Sequence, residues 1–279
     1  MATTLPTETV SDSQLTKFAN LIYQKTGNRF SSQKKTLLTN RLRRRLKASG
    51  ISGFDEYYQY LTKLSRRHEE WNEFLQEVTT HETYLFRDSM QWDWFTRRYL
   101  PARVSGARRG ELPKELSIWS AACSTGDEAY TIAACIADKI TSVSEWKINI
   151  LGTDIGTGAL QQAEQADFNE RAMRLVPSRL QGRFFTKTKT GNWRPKEMLT
   201  QWTRFRQHNL LEPLPGMHFD LVFVKNVFIY FDADSKRKAF ENINKTLRSG
   251  GLLLSGPAEG ITDQLRDYDR EEPWLHRKR

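Results

Sequence analysis

Residues 117–133, SIWSAACSTGDEAYTIA, contain a short apolar strand, a turn of small residues and the start of an amphipathic helix. The strand (118–122) carries the chain to the carboxyl edge of a sheet. There the small residues Ser124, Thr125 and Gly126 let a ligand approach the backbone closely. This order of elements predicts an α/β fold with a site for a nucleotide-type ligand at that edge.

Two carboxylates, Asp127 and Glu128, open the helix that follows. A phosphate-binding loop presents bare amides and a basic residue at this point, whereas two carboxylates repel phosphate and favour a cation. S-adenosylmethionine carries an adenosine, a sulfonium and an amino group, so it suits this turn better than a dinucleotide or a triphosphate. A capping box, with Ser124 paired to Asp127 or Thr125 to Glu128, explains the same pattern without any ligand.

Composition narrows the class of protein. Of 279 residues 38% are hydrophobic, the mean hydropathy is −0.66, and no uncharged apolar run reaches the roughly 18 residues of a membrane span. We therefore expect no membrane insertion, and MATTLPTETV does not resemble a secretory signal. The only cysteines, Cys123 and Cys135, provide neither a disulfide framework nor zinc-ligand spacing, so we expect no metal and a cytoplasmic location.

Basic residues are concentrated near the N-terminus. The net charge is +10, and Ser13 through Phe54 contain ten Lys or Arg residues but no Asp or Glu. Such a block could contact nucleic acid, anionic lipid or an acidic protein, and charge alone does not choose among them. The structural alternative is a solvated helix face.

Residues 11–80 have the pattern of an all-helical domain. Apolar residues recur at helical spacing before Gly27, and Leu38, Leu42 and Leu46 form one stripe before Gly50. The basic residues of this second helix lie away from the stripe. FDEYYQYLTKL and HEEWNEFLQEVTT predict two further amphipathic helices.

Apolar strands alternate with helices after about residue 105, which predicts a doubly wound, mostly parallel sheet. The strands fall in SIWSAA, INILGTDI, FDLVFVKNVFIYF and SGGLLLSG. A Thr-Gly-Asn turn within 183–208 indicates a small antiparallel β insertion. The predicted organisation is a helical domain (11–80), a linker that contributes to the site (81–105) and a ligand-binding domain (106–279).

Polar residues at strand ends are the candidates for the site. Asp154 ends INILGTD, where a carboxylate can accept hydrogen bonds from both ribose hydroxyls, although a helix cap near Thr157 is the alternative. Asn226, Tyr230 and Asn209 follow other strand-like runs. Taken singly, they also fit turn asparagines and a core tyrosine.

The linker segment TTHETYLFRD, residues 79–88, is dense in chemically active side chains. His81 indicates a general base and Arg87 a carboxylate clamp, although ordinary capping could hold both. Zinc is not expected, because His81 has no Cys or His partner at ligand spacing.

These segments in this order resemble the chemotaxis receptor methyltransferases of the CheR type. The strings WSAACSTG and N-V-x-I-Y-F-D are specific, and the resemblance covers nearly the whole chain. It implies a class I methyltransferase-like domain that binds S-adenosylmethionine, an N-terminal helical domain and a small antiparallel insertion. It also implies methyl transfer to glutamates on the cytoplasmic helices of chemoreceptors, giving methyl esters and S-adenosylhomocysteine.

The same resemblance implies the site residues. The cofactor contacts fall on His81, Thr83, Arg87, Asp127 or Glu128, Asp154, Asn209, Leu210, Lys225, Asn226 and Tyr230. Four departures stand out: His81 replaces the usual Asn, Lys225 replaces the usual Arg, the helix opens with Gly-Asp-Glu-Ala instead of Gly-Glu-Glu-Pro, and GPAEG replaces Gly-His-Ser-Glu. An imidazole keeps a hydrogen bond but not the geometry of an amide, and a lysine loses the planar fork of arginine.

For the reaction, we expect Arg87 to orient the incoming carboxylate and Tyr230 to wall the methyl channel. A glutamate is already ionised at neutral pH, so no general base is required. Receptor docking is predicted for the basic residues Arg41, Arg43, Arg44 and Lys47 of a monomer. The alternatives are a non-catalytic module that senses S-adenosylmethionine, and a nucleic-acid methyltransferase. KNVFIYF lacks the Asn-Pro-Pro-Tyr type of motif, which argues against nucleic acid as a partner.

Overall fold

The computed structural model describes residues 9–65 and 68–279, and it begins with a domain of four helices. They are α1 (Asp12–Thr26), α2 (Lys35–Ser49), α3 (Phe54–Lys63) and α4 (Glu69–Val78). A capping box between Ser11 and Gln14 begins α1, and Gly27 ends it with a left-handed φ of 77°. Gly50 ends α2 in the same way, with a φ of 73°. The all-helical domain predicted from the apolar spacing is present.

The apolar stripe of α2 is the centre of this domain's core. Leu38, Leu42 and Leu46 are fully buried in one cluster with Phe18 and Phe74. Since burying one leucine side chain contributes about 2 kcal/mol, the stripe fixes which face of α2 packs inward. Away from the stripe, Arg44 and Lys47 are exposed, whereas Arg45 is 11% exposed and pairs with Glu70 and Glu73.

A long helical segment connects the two domains. It consists of α5 (Ser89–Trp94), a π-helical turn (Phe95–Tyr99) and α6 (Leu100–Arg108). The side chains of Phe95 and Leu100 are buried in the core of the second domain. The linker boundary predicted at residue 105 therefore falls inside α6. No helix of the described residues has the length and apolar character that a membrane span requires.

The second domain alternates strands and helices. Its strands are β1 (Glu115–Ala121), β2 (Lys147–Asp154), β3 (Phe185–Lys187), β4 (Trp193–Pro195), β5 (Thr203–Gln207), β6 (Phe219–Val224), β7 (Leu247–Ser255), β8 (Tyr268–Glu272) and β9 (Leu275–Lys278). Its helices are α7 (Asp127–Lys139), α8 (Thr157–Gln165), α9 (Glu170–Met173), α10 (Ser178–Phe184), α11 (Glu197–Thr200) and α12 (Ala233–Thr246).

Seven strands form one sheet in the order β5-β2-β1-β6-β7-β9-β8, with β9 antiparallel to β7 and the first five strands parallel. Successive residues of the strands enter different cores: Ile118 and Phe223 face one apolar cluster, whereas Trp119 and Val222 face the other. Burial on both faces is typical of a parallel sheet covered by helices on both sides. The predicted doubly wound fold is confirmed.

The predicted insertion at 183–208 is correct only in its first part. Strands β3 and β4 form a separate antiparallel pair around Gly191, whose φ is 90°. Thr203–Gln207, however, pairs in parallel with β2 over Ile150–Asp154 and is the edge strand of the main sheet. An edge strand is only partly covered, so the arginines of β5 are exposed. This polar pattern is also typical of a surface hairpin, which is why the sequence predicted an insertion here.

The strand order reverses at β1, because the chain runs from β1 to β2 and β5 on one side and returns to β6 on the other. In doubly wound sheets, ligands bind in the crevice outside the carboxyl ends of the strands at such a switch point. The residues that follow β1, β2 and β6 are therefore brought together.

Candidate functional site

A cavity opens at this switch point, and both domains line it. The helical domain contributes residues between Thr26 and Arg41, and the end of α4 and the segment after it contribute residues between Val78 and Arg87. Ten of the residues predicted for cofactor binding and catalysis lie on its wall: His81, Thr83, Arg87, Glu128, Asp154, Asn209, Leu210, Lys225, Asn226 and Tyr230. Asp127 does not line it.

The turn after β1 separates the two carboxylates that open α7. Asp127 is 1% exposed, and its Oδ2 accepts a hydrogen bond of 2.6 Å from the Thr125 hydroxyl. The Ser124 hydroxyl donates instead to the His81 carbonyl at 2.8 Å. No side chain caps α7, whose N-cap is Gly126. The capping-box interpretation is therefore wrong, and only Glu128 of the pair reaches the cavity.

Replacing Asp127 with Asn should reduce the loss of stability between about pH 4 and pH 6. Burial raises the pKa of Asp127 from 3.8 to about 6. The folded state binds this proton more tightly than the unfolded state does. The stabilising contribution of Asp127 to the free energy of unfolding is therefore fully present below about pH 4 and is lost as the pH rises through 6. The loss is at most on the order of 3 kcal/mol, at about 1.4 kcal/mol per pKa unit.

Urea unfolding of the wild type and of Asp127→Asn at about pH 4 and pH 7.5 measures this difference, with the exposed Asp263→Asn as the control. The free energy of unfolding of Asp127→Asn, relative to the wild type, should be higher at the upper pH. An identical pH dependence of the two proteins would contradict the assignment.

Asp154 ends β2 and organises two loops at once. Its Oδ2 accepts from the backbone N–H of Ser124 at 2.8 Å, and its Oδ1 accepts from that of Gly156 at 2.9 Å. It is not the cap of α8, since the N-cap of that helix is Gly156. Each carboxylate oxygen has two lone pairs, so Asp154 can still accept from a ligand in the cavity.

His81 lies between Thr79 and Asp154. Its Nε2 is 2.7 Å from the Thr79 hydroxyl, and its Nδ1 is 3.5 Å from Asp154 Oδ1. The Thr79 hydroxyl already donates to the Leu75 carbonyl at 2.6 Å, so Nε2 of His81 is the donor in this pair. Burial lowers the pKa of His81, against the opposing effect of Asp154. At neutral pH the ring is therefore an uncharged part of the cavity wall.

Glu128, also on the cavity wall, is held from two sides. Its Oε1 accepts from the Ser120 hydroxyl at 2.7 Å, and its Oε2 lies 3.2 Å from Nζ of Lys225. Ser120 belongs to β1 and Lys225 follows β6. The carboxylate is thus fixed by two neighbouring strands.

Arg87 enters the cavity from a strained stretch of backbone. Phe86 and Asp88, on either side of it, have left-handed φ values of 58° and 65°. Such a value costs a bulky residue such as Phe86 on the order of 1–3 kcal/mol, and strained residues of this kind cluster at functional sites. The guanidinium donates to the Glu82 carbonyl at 3.1 Å and lies 5.6 Å from the Tyr84 ring centroid. Within 9–65 and 68–279, it forms no ion pair with a carboxylate.

Asn209 joins the two domains. Its amide Nδ2 donates to the Lys25 carbonyl at the end of α1 at 2.7 Å, and its Oδ1 accepts from the N–H of Leu211 at 3.1 Å. Leu210 is buried, and its carbonyl accepts from Asn242 at 3.0 Å. The cavity wall on this side depends on the docking of α1.

The loop with Asn226 and Tyr230 has an anchor that sequence reasoning missed. Glu259, 1% exposed, accepts from the backbone N–H groups of Asn226 and Phe228, the latter at 2.8 Å. Burial raises the pKa of Glu259, and the loop amides oppose this. Asn226 has a left-handed φ of 58°. The only indication in the sequence was that Glu259 is an acidic residue within the run of small residues after β7.

Tyr230 meets the helical domain directly. Its carbonyl accepts from the N–H of Arg29 at 2.9 Å, and Nζ of Lys34 lies 5.5 Å from its ring centroid. The ring therefore lies where the two domains meet at the cavity.

The four residues predicted for docking occupy different environments. Arg41 lines the cavity and donates to the Val78 carbonyl and the Thr80 hydroxyl, and burial lowers its pKa. Arg44 is exposed but pairs with Glu77 at 2.6 Å. Arg43 is half-buried and Lys47 is exposed. The structure thus separates Arg41 from the outer face of α2.

The lining fits S-adenosylmethionine. Carboxylates from Glu128 and Asp154 offer acceptors for an amino group and for ribose hydroxyls at neighbouring strand ends. The turn after β1 exposes its backbone through the left-handed residues Ala122 and Ser124, with φ values of 63° and 52°. Apolar Leu210 and Val227 complete the wall.

Comparison with known proteins identifies the family. The SAM binding domain of the CheR methyltransferases matches residues 81–273, and their all-alpha domain matches residues 13–79. The chain is 31% identical to a chemotaxis protein methyltransferase of Borreliella burgdorferi, over 90% of this chain and 89% of that protein. It is 33% identical to the chemotaxis protein methyltransferase of Escherichia coli, over 93% and 88%. The chain therefore belongs to the CheR methyltransferase family, whose cofactor is S-adenosylmethionine.

Proposed function

We propose that the protein methylates glutamate side chains on the cytoplasmic helices of chemoreceptors, giving methyl esters and S-adenosylhomocysteine. The observation that carries the proposal is Arg87, a guanidinium on the wall of the cofactor cavity that forms no carboxylate pair in the described part of the chain. An arginine binds a carboxylate through two parallel hydrogen bonds, so it can fix an incoming glutamate. Relatives named chemotaxis protein methyltransferases support this choice of substrate.

S-adenosylmethionine supplies a methyl group on a positively charged sulfur. The chain's own task is to bind, align and exclude water, since a glutamate with a pKa near roughly 4.3 needs no general base. Arg87 orients the acceptor carboxylate, and Tyr230 lines the path between the acceptor and the cofactor. Because opposite charges approach and cancel, alignment in a dry cavity provides most of the acceleration.

The cofactor is held by the strand ends in this proposal. Glu128 accepts from the amino group, Asp154 accepts from the ribose, and the lining residues His81, Thr83, Asn209, Leu210, Lys225 and Asn226 surround it. Asp127 is left out of this set, because its carboxyl group is buried behind the turn.

Methyl-labelled S-adenosylmethionine and chemoreceptor-bearing membranes test the reaction. We expect label in the receptor that alkali releases as methanol, as methyl esters require. Alkali-stable label would indicate a nitrogen or carbon acceptor and would contradict the proposal. Label in nucleic acid would favour a nucleic-acid methyltransferase, and cofactor binding without label would favour a sensing module.

The outer face of α2 is the proposed contact for the receptor, with Arg43, Arg44 and Lys47 facing glutamate-rich helices in the cytoplasm. Raising the salt concentration from about 50 to 300 mM should therefore increase KM for the receptor several-fold, because screening shortens the range of such attraction. Initial rates with intact receptor measure this effect. Charge reversal by Lys47→Glu should weaken the salt dependence, and Lys245→Glu on α12 is the control. A salt-independent KM would rule out the contact.

A further inference from the structure

A buried charge cluster lies at the cavity wall. Nζ of Lys225 is 3.2 Å from Glu128 Oε2 and 3.2 Å from Asp88 Oδ2. The Lys225 side chain is 5% exposed, and Nζ lies 5.2 Å from the Trp92 ring centroid. Burying an ammonium is costly unless anions compensate it. Two carboxylates contact the single ammonium group of Lys225, so the cluster carries a net charge of −1.

Asp88 is the member of the cluster that no cofactor role explains. Glu128 and Lys225 line the cavity, whereas Asp88 lies outside it, just before α5. Its Oδ2 is buried and makes no hydrogen bond within the described residues, so its contact with Lys225 is an ion pair. The left-handed φ of 65° that places it is one that aspartate and asparagine tolerate.

The lining of the cavity has more basic than acidic residues, and the negative charge of this cluster offsets part of that excess. Its described lining contains five basic residues, Arg29, Lys34, Arg41, Arg87 and Lys225, and three acidic ones, Glu82, Glu128 and Asp154. S-adenosylmethionine carries a net positive charge, so an excess of basic residues opposes its binding. With Lys225 paired to Glu128 alone, that carboxylate would be fully neutralised.

We propose that Asp88 is a positioning residue that neutralises Lys225 and so leaves Glu128 able to accept the amino group of S-adenosylmethionine. The proposal rests on the cofactor role of Glu128 given above. Asp88 acts through Lys225 and does not touch the cofactor.

Calorimetric titration of the full chain with S-adenosylmethionine and with S-adenosylhomocysteine tests the proposal without any methyl acceptor. Asp88→Asn should raise Kd about tenfold for both S-adenosylmethionine and S-adenosylhomocysteine, because both ligands carry the amino group that Glu128 is proposed to bind. The matched control is Asp93→Asn on α5, whose side chain is 69% exposed and pairs with Arg97 at the surface. It should change neither Kd. In a Lys225→Met background, Asp88→Asn should change Kd less than about twofold.

Kd values for both ligands that change as little in Asp88→Asn as in Asp93→Asn would overturn the proposal. So would an effect of the same size in the Lys225→Met background, or a lower melting temperature with both Kd values unchanged. Glu128→Gln separates two kinds of failure. If it leaves Kd for S-adenosylmethionine unchanged, the cofactor role of Glu128 is wrong; if it weakens binding while Asp88→Asn behaves like Asp93→Asn, only the role of Asp88 is wrong.

Discussion

Replacing Arg87 with alanine should lower kcat by roughly 10²- to 10³-fold, while Kd for S-adenosylmethionine changes by less than about threefold. Removing one preorganised donor from an active site typically costs a factor of this size. The effect falls on kcat because the guanidinium would hold the acceptor glutamate in line with the methyl group, and misalignment raises the barrier directly. Single-turnover methylation of receptor and calorimetric titration of cofactor measure the two quantities separately.

Arg174→Ala is the matched control for Arg87→Ala. Both guanidinium groups contact the ring of Tyr84, at 3.5 Å for Arg174 and 5.6 Å for Arg87, but only Arg87 lines the cavity. The control should therefore keep its turnover. If Arg87→Ala keeps normal kcat, or if it loses cofactor affinity as strongly as turnover, Arg87 does not orient the acceptor.

The position of the cavity followed from the sequence because the parallel strands are strongly patterned. Apolar runs ending in Asp154 and Asn226 place these residues at one sheet edge, and the order reversal at β1 brings them together. The sequence did not show which of the two carboxylates, Asp127 or Glu128, reaches the cavity. Neighbours on the first turn of a helix point about 100° apart, and the packing of α7 decides which carboxylate is buried.

Contacts between distant parts of the chain were not predictable from local patterns. Asn209 looked like a turn residue, yet its partner Lys25 lies 184 positions earlier. Glu259 anchors the loop at Asn226 from 33 positions away. Edge strand β5 was assigned to the insertion for the same reason, since its pairing with β2 is a long-range contact and its own residues are mostly exposed.

Replacing Asp154 with alanine should weaken S-adenosylmethionine binding about 1000-fold, which is about 4 kcal/mol. The change removes the proposed acceptor for the ribose and also the acceptor of the Ser124 and Gly156 backbone N–H groups. Two buried donors without partners cost about 1–3 kcal/mol each, so the turn after β1 would also lose its shape. The free energy of unfolding should fall by at least about 2 kcal/mol.

The Asp154 prediction separates a cofactor role from a turn role through Asp154→Asn, because the amide keeps one acceptor and nearly the same size. This variant should recover part of the stability but little of the affinity, since an Nδ2 group facing a backbone N–H or a ribose hydroxyl cannot accept. The control is Asp167→Asn, which changes an ion pair with Arg194 of β4. It should keep both the stability and the cofactor affinity of the wild type. If Asp154→Asn binds S-adenosylmethionine within about tenfold of the wild type, the carboxylate shapes the turn and does not hold the ribose.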